Sequence, residues 1–206
     1  MPPGAGLEQL RAAAAGCAGC ELHGPATQTV FSSGSATARL AFVGEQPGDA
    51  EDRQGAPFVG PAGRLLDDAL QRAGIDRSDA YVTNAVKHFR FTPTPQRRIH
   101  QTPDLVHLTA CRPWLVAELA VVDPEVVVCL GATAAKTLLS PSFRVTRQRG
   151  ILYPRRARSD DPALVRAGWM MGTVHPSAVL RADDRDAALA GLVADLEVAA
   201  AALVPA

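Results

Sequence analysis

The sequence predicts an α/β protein, a three-layer α/β/α sandwich around a central four-stranded, mainly parallel sheet. Three observations carry this. Apolar runs of strand length alternate along the chain with segments of helical spacing. One run, Pro124-Glu125-Val126-Val127-Val128-Cys129-Leu130-Gly131, is apolar almost without a break, as a parallel strand covered on both faces must be. Polar clusters follow the runs, at the carboxyl ends where open parallel sheets bind ligands.

Taken in order, residues 7–15 read as a short helix, followed by Cys17-Ala18-Gly19-Cys20 and a loop over 21–37. The first strand covers 38–45. A long loop rich in Gly, Pro and acidic residues follows; such loops in compact domains are functional or disordered, and the apolar Pro57-Phe58-Val59 argues for function. A helix over about 62–74 ends at Gly74, and Asp79–Lys87 is the second strand. Residues 88–104 form a polar loop in which Pro93, Pro95 and Pro103 exclude a regular helix. A helix over about 104–122, the strand at 124–131 and a helix over 132–139 come next. The arginine-rich stretch 144–158 surrounds Ile151-Leu152-Tyr153, a candidate edge strand. Trp169–Val174 is the fourth core strand, ending at His175-Pro176-Ser177, and a last helix covers about 184–202 with an apolar face.

With 206 residues, one domain over 1–206 is expected. No apolar run reaches the roughly 18 residues of a membrane span, and no charged-then-apolar leader opens the chain. A cytoplasmic monomer without a membrane partner is expected. Formal net charge is zero, so the overall field favours neither nucleic acid nor acidic surfaces. The charge is uneven, however: Lys87, Arg90, Arg97 and Arg98 crowd one stretch, and Arg144, Arg147, Arg149, Arg155, Arg156 and Arg158 another. Taken alone, each reads as a solvated face. Four cysteines without a leader point to metal or thiol chemistry rather than disulfides.

Glu45-Gln46, Asn84, the Gly131 turn and His175 each follow a different strand, so one rim gathers them. Phe58 is either a core plug or a platform for a flat ligand. Beside it, Asn84 offers donor and acceptor together and can match the edge of a base. Glu45 and Asp49 suit general-base, water-positioning or capping roles. His175 can face a developing oxyanion. Gly60-Pro61-Ala62-Gly63 lacks the spacing of a phosphate-binding loop and reads as a turn. Cys17, Cys20 and Cys111 form a candidate ligand set. Cys129 lies inside a buried strand and reads as a small hydrophobe; His88 is the candidate fourth ligand. Three Cys and one His suit zinc or an iron–sulfur cluster, and spacing does not choose between them.

Together, Gly44-Glu45-Gln46-Pro47-Gly48, Pro57-Phe58-Val59-Gly60-Pro61-Ala62-Gly63, Asn84-Ala85-Val86-Lys87-His88-Phe89, Arg97-Arg98-Ile99-His100 and His175-Pro176-Ser177 resemble the uracil-DNA glycosylase superfamily. The iron–sulfur glycosylases are similar, and the cross-linking X-type branch most of all. The chain departs from the iron–sulfur pattern at His88, where a third Cys is usual, and in its Arg-Arg-Ile-His loop, which marks the X-type. The resemblance implies excision of uracil from DNA, with single strands preferred and free uracil released. It implies a [4Fe–4S] cluster on Cys17, Cys20, Cys111 and His88, without a redox step. Phe58 would stack on the base and Asn84 would read it, with Gly44 and Asp49 in the same loop region. His175 and the backbone N–H groups near the catalytic candidate Gln46 would stabilise the departing uracil anion. His100, oriented by Glu45, would trap the sugar covalently and limit turnover to one event. Arg98 would close the loop or meet phosphate, and Ser177, Arg181 and the 144–158 arginines would contact the backbone.

Overall fold

A computed structural model describes residues 4–155 and 168–203. Its main sheet has six strands, in the order β1 (Ser32–Ser33), β3 (Ala80–Asn84), β2 (Leu40–Gly44), β6 (Val126–Leu130), β8 (Trp169–Thr173) and β7 (Leu152–Pro154). The four central strands run parallel, as expected, and β1 and β7 close the edges antiparallel. The expectation of four strands is thus corrected to six. The edge at Leu152–Pro154 follows the Ile151-Leu152-Tyr153 run; β1 is two residues long and too short to show alternation.

Alternation along the strands supplies two cores. Phe42, Val82, Val128 and Met171 face the helices α3 (Pro61–Arg72) and α8 (Arg185–Ala201). Val43, Tyr81, Val127, Cys129 and Met170 face α1 (Leu7–Ala14), α4 (Leu105–Val122) and α5 (Ala132–Leu138). Helix α4 buries His107, Cys111, Leu115, Glu118, Leu119 and Val122, a stripe at helical spacing. By length and composition it is apolar enough to cross a membrane, with a mean hydropathy of 1.4, which the absence of an uninterrupted apolar run did not suggest. Here that apolar character serves packing against α1 and the sheet.

Two segments read as loop contain structure. The acidic loop holds α2 (Asp49–Gln54), a six-residue helix ended by Gly55 in the left-handed conformation. The Pro-bounded loop holds a hairpin, β4 (Phe91–Pro93) paired with β5 (Arg98–His100), in which Phe91 lies opposite His100. Register brings the carboxyl ends of the core strands level: Gly44 pairs with Asn84, and Leu130 with Thr173.

Candidate active site

On that rim a cavity of about 570 Å³ is lined by Glu45, Phe58, Asn84, His100, Thr133 and His175, with Gln46, Ser177 and Arg181 at its walls. Each comes from a different connection. Glu45 follows β2, Asn84 ends β3, His100 ends β5, and Thr133 opens α5. His175 caps the short helix α7 (Pro176–Val179).

Asn84 is 1% exposed, and its Oδ1 has no hydrogen-bond partner. A buried acceptor without a partner costs free energy, so its persistence at a cavity is a sign of a ligand. Phe58 has a left-handed backbone, φ 56°. Gly63 permits this, because a Cβ there would lie 1.7 Å from the Phe58 carbonyl oxygen. Gly44 lies behind both side chains: a Cβ on it would lie 2.3 Å from Asn84 Oδ1 and 2.7 Å from Phe58 Cζ. The Phe58 and His175 rings are 5.9 Å apart, tilted by 31°.

His175 Nδ1 accepts the Ser177 backbone N–H at 3.1 Å, so the neutral ring carries its proton on Nε2. Burial, and the nearby charges of His100 and Arg181, push its pKa down to about 4. At neutral pH it is therefore an uncharged donor. His100 Nε2 lies 3.5 Å from Glu45 Oε1, while Glu45 Oε2 accepts a short hydrogen bond from the Thr133 hydroxyl. Thr133 was not singled out from sequence, although it stands two residues after the Gly131 turn.

The hairpin that carries His100 is held at both ends. At its base, Gln46 Nε2 donates to the Arg90 and Gln101 carbonyls at 3.2 and 3.0 Å, and its Oε1 accepts the Arg90 N–H at 3.1 Å. The Gln46 side chain is thus committed to the hairpin. Nearer the tip, Arg98 forms ion pairs with Asp49 and with the fully buried Asp52, the latter at 2.6 Å. Its guanidinium lies over the Phe89 and Phe91 rings, 5.3 and 4.9 Å from their centroids. Asp49 and Arg98 therefore lie outside the cavity and act on the hairpin; hydrogen bonds from Arg53 and Arg98 hold the Asp49 carboxyl below its usual range. Glu51, also unforeseen, ties the loop by accepting the Gly48 and Gly60 N–H groups at 3.1 and 2.7 Å.

Several cations of the two basic stretches are engaged internally. Lys87 is buried against Glu118, and Arg90 pairs with Asp104 at 2.7 Å. Arg149 pairs with Asp195, and the buried Arg155 donates to the Pro124 carbonyl and Asp123. These two are structural side chains and not surface contacts. Arg97, Arg144 and Arg147 are exposed; Arg156 and Arg158 lie outside the described residues.

Cys17, Cys20 and Cys111 lie close enough that charge on one raises the pKa of another, with burial the larger cause for Cys20 and Cys111. The Lys87 backbone N–H points at Cys111. Next in the chain, His88 has a buried, unpartnered Nδ1. Its Nε2 bonds Thr29 Oγ1 at 2.9 Å, and that hydroxyl donates to the Ala14 carbonyl at 2.9 Å. The Thr29 proton is thus spent, so Nε2 is the protonated nitrogen and Nδ1 keeps a free lone pair. Cys129 is fully buried, with its thiol pushed up to about 12, and faces the core. Among the described residues, no three His, Cys, Asp or Glu side chains are close enough to hold one metal ion. The donor types, three thiols and one imidazole nitrogen, suit zinc or an iron–sulfur cluster.

Comparison with known proteins agrees with the geometry. Residues 31–197 match the Uracil DNA glycosylase superfamily. The Type-4 uracil-DNA glycosylase of Thermotoga maritima is 36% identical over 173 residues, covering 80% of this chain and 78% of that protein. The Pyrobaculum aerophilum protein of the same name is 34% identical over 179 residues, covering 85% of each chain. That of Archaeoglobus fulgidus is 38% identical over 141 residues, 66% of this chain and 67% of its own. With the family match spanning the sheet and every residue that lines the cavity, the chain belongs to the uracil-DNA glycosylase superfamily.

Proposed function

We propose that the protein excises uracil from single-stranded DNA, releases the free base and stays joined to the abasic sugar through His100, as in the X-type branch. The observation that carries this reading is one cavity shared by the unpartnered amide oxygen of Asn84 and the imidazole of His100. A base inside a stack cannot be attacked, so it is flipped out or taken from a single strand. Phe58 stacks on the ring. Asn84 Oδ1 accepts uracil N3–H; cytosine offers no hydrogen there and would leave that oxygen unpaired, which is how buried polar sites reject analogues.

Cleavage sends the electron pair of the C1′–N1 bond to uracil. His175, neutral and protonated on Nε2, donates to the developing anion. A nitrogen lone pair of His100 forms the new bond to C1′, and the ring proton passes by way of Glu45 to the departing uracil. Ser177 and Arg181 meet the backbone phosphates. A [4Fe–4S] cluster is assigned to Cys17, Cys20, Cys111 and Nδ1 of His88. When bound it supplies a cross-link among the N-terminal segment, the turn after β3 and α4, with no electron transfer in the reaction.

A second reading is a glycosylase that turns over, with water capturing the sugar; the relatives' name, Type-4 uracil-DNA glycosylase, fits it as well. One experiment separates the two. Purified protein is mixed with a labelled uracil-containing single strand, heated, and run on a denaturing gel. A retarded band that requires both uracil and His100 is expected. A strand that breaks in alkali without a retarded band would establish turnover instead, and an intact, unshifted strand would refute both readings.

A further inference from the structure

Behind Asn84 lies a charged pair that the reading above does not use. Lys87 and Glu118 are 1% and 0% exposed and in direct contact. Glu118 Oε2 accepts the Tyr81 hydroxyl at 2.8 Å and the Thr83 hydroxyl at 2.7 Å. Lys87 Nζ donates to Thr83 Oγ1 at 2.6 Å and to the Asn84 carbonyl at 2.9 Å, and lies 5.4 Å from the centre of the Phe31 ring.

Stability does not account for such a pair. Desolvating two charges offsets most of their attraction, and apolar replacements of similar volume are often as stable. Geometry accounts for it better. The chain turns sharply after β3, and the Ala85 and Val86 N–H groups return to the Gly44 and Glu45 carbonyls at 2.9 and 3.0 Å. The Asn84 carbonyl within that turn is held by Lys87 Nζ. A rotation about the backbone bonds of Asn84 that released this carbonyl would reorient its Cα–Cβ bond, and with it the side chain whose Oδ1 faces the cavity. Lys87 cannot follow such a rotation, because its carbonyl accepts the Val30 N–H at 2.8 Å and Glu118 anchors its ammonium.

We propose that Lys87 and Glu118 are positioning residues that lock the Asn84 peptide, and through it the orientation of the amide that selects uracil. The proposal rests on Asn84 as the base reader. Its test is the double variant Lys87→Met with Glu118→Gln, which removes both charges yet keeps an acceptor for Tyr81 and Thr83. The readouts are melting temperature, the single-turnover rate of uracil excision, inhibition by free uracil, and affinity for a uracil-free strand. Melting near the wild-type temperature is expected, with excision slowed about tenfold or more, weaker inhibition by uracil, and unchanged binding of the uracil-free strand. A folded variant with unchanged rate and inhibition would overturn the proposal. If the double variant does not fold, Lys87→Arg decides: it keeps the charge but displaces the donor, so the same uracil-specific loss is expected and an unchanged rate refutes the idea. Loss of folding in both variants makes the pair a stability element and also refutes it. Wild-type protein inert toward uracil strands would instead remove the reading of Asn84, and this proposal with it.

Discussion

His100 Nε2 stands 3.5 Å from Glu45 Oε1, although the two residues come from a hairpin and a strand end 55 positions apart. The opposite oxygen of the same carboxylate takes the Thr133 hydroxyl. The carboxylate is therefore fixed at one oxygen and presents the other to the imidazole.

From this follows the effect of Thr133→Val, which keeps the shape and removes the donor. Glu45 gains rotational freedom, and adduct formation with a uracil strand slows about tenfold, in the range of a positioning contact. Thr133→Ser restores the rate. Single-turnover gel assays read both variants, and equal rates in all three proteins would rule out the role.

Arg98→Ala leaves Asp52 buried, with the Thr27 N–H as its remaining partner. Breaking a buried pair on one side costs about 3 kcal/mol. Denaturant unfolding should show that loss, and adduct formation should fall further because the hairpin loses its anchor near the tip. A variant as stable as the parent would show that the Arg98–Asp52 contact is weak in solution.

Gly44→Ala places a methyl group where Asn84 and Phe58 already pack. Excision is expected to fall by about a hundredfold, as for a misplacement of about 1 Å at a reacting centre. Retained activity would mean that the loop yields, and a structure of the variant would show Phe58 moved.

The pH dependence of stability has a definite sign. His175 has a folded-state pKa of about 4 against an ordinary 6.5, so the unfolded chain takes up the proton first. Its contribution is complete above pH 6.5 and is lost as pH falls from there toward 4, at up to a tenfold change in the unfolding constant per pH unit. Chemical denaturation across that window should show His175→Asn to have a flatter profile than the parent. Parallel profiles would mean that the ring is not held neutral.

For the cysteine set, anaerobically purified protein should be brown. His88→Ala should lose iron and visible absorbance, and Cys129→Ala should keep both. The reverse pattern would exchange the fourth ligand.

Much of the architecture was legible because burial writes a period into the chain. Val126–Leu130 is apolar on both faces and could only be a central strand. The Pro61–Arg72 and Leu105–Val122 segments were visible to within a residue or two. Helix α2 was not, since six residues make too few turns for a period, and its entry is organised by Glu51. The hairpin was hidden because prolines exclude a helix but say nothing for a strand that pairs only with its neighbour. Glu45, Phe58, Asn84, His100 and His175 were recognisable from their places after strands and in motifs. Thr133 was not, since nothing local links it to an acid 88 positions away. The second arginine cluster misled because composition does not show which cations face internal acids, as Arg149 and Arg155 do.

The double anchoring of the hairpin also sets a load path. If DNA is bonded to His100 as proposed, tension on the strand would enter the protein through β5 and not through the sheet. It would be met in parallel by the Gln46 bonds at the stem and by the Arg98 ion pairs nearer the tip. A helicase or polymerase pulling on such a strand would strain those few bonds before it reached the core, so the grip on the DNA would be as strong as the hairpin's fastening.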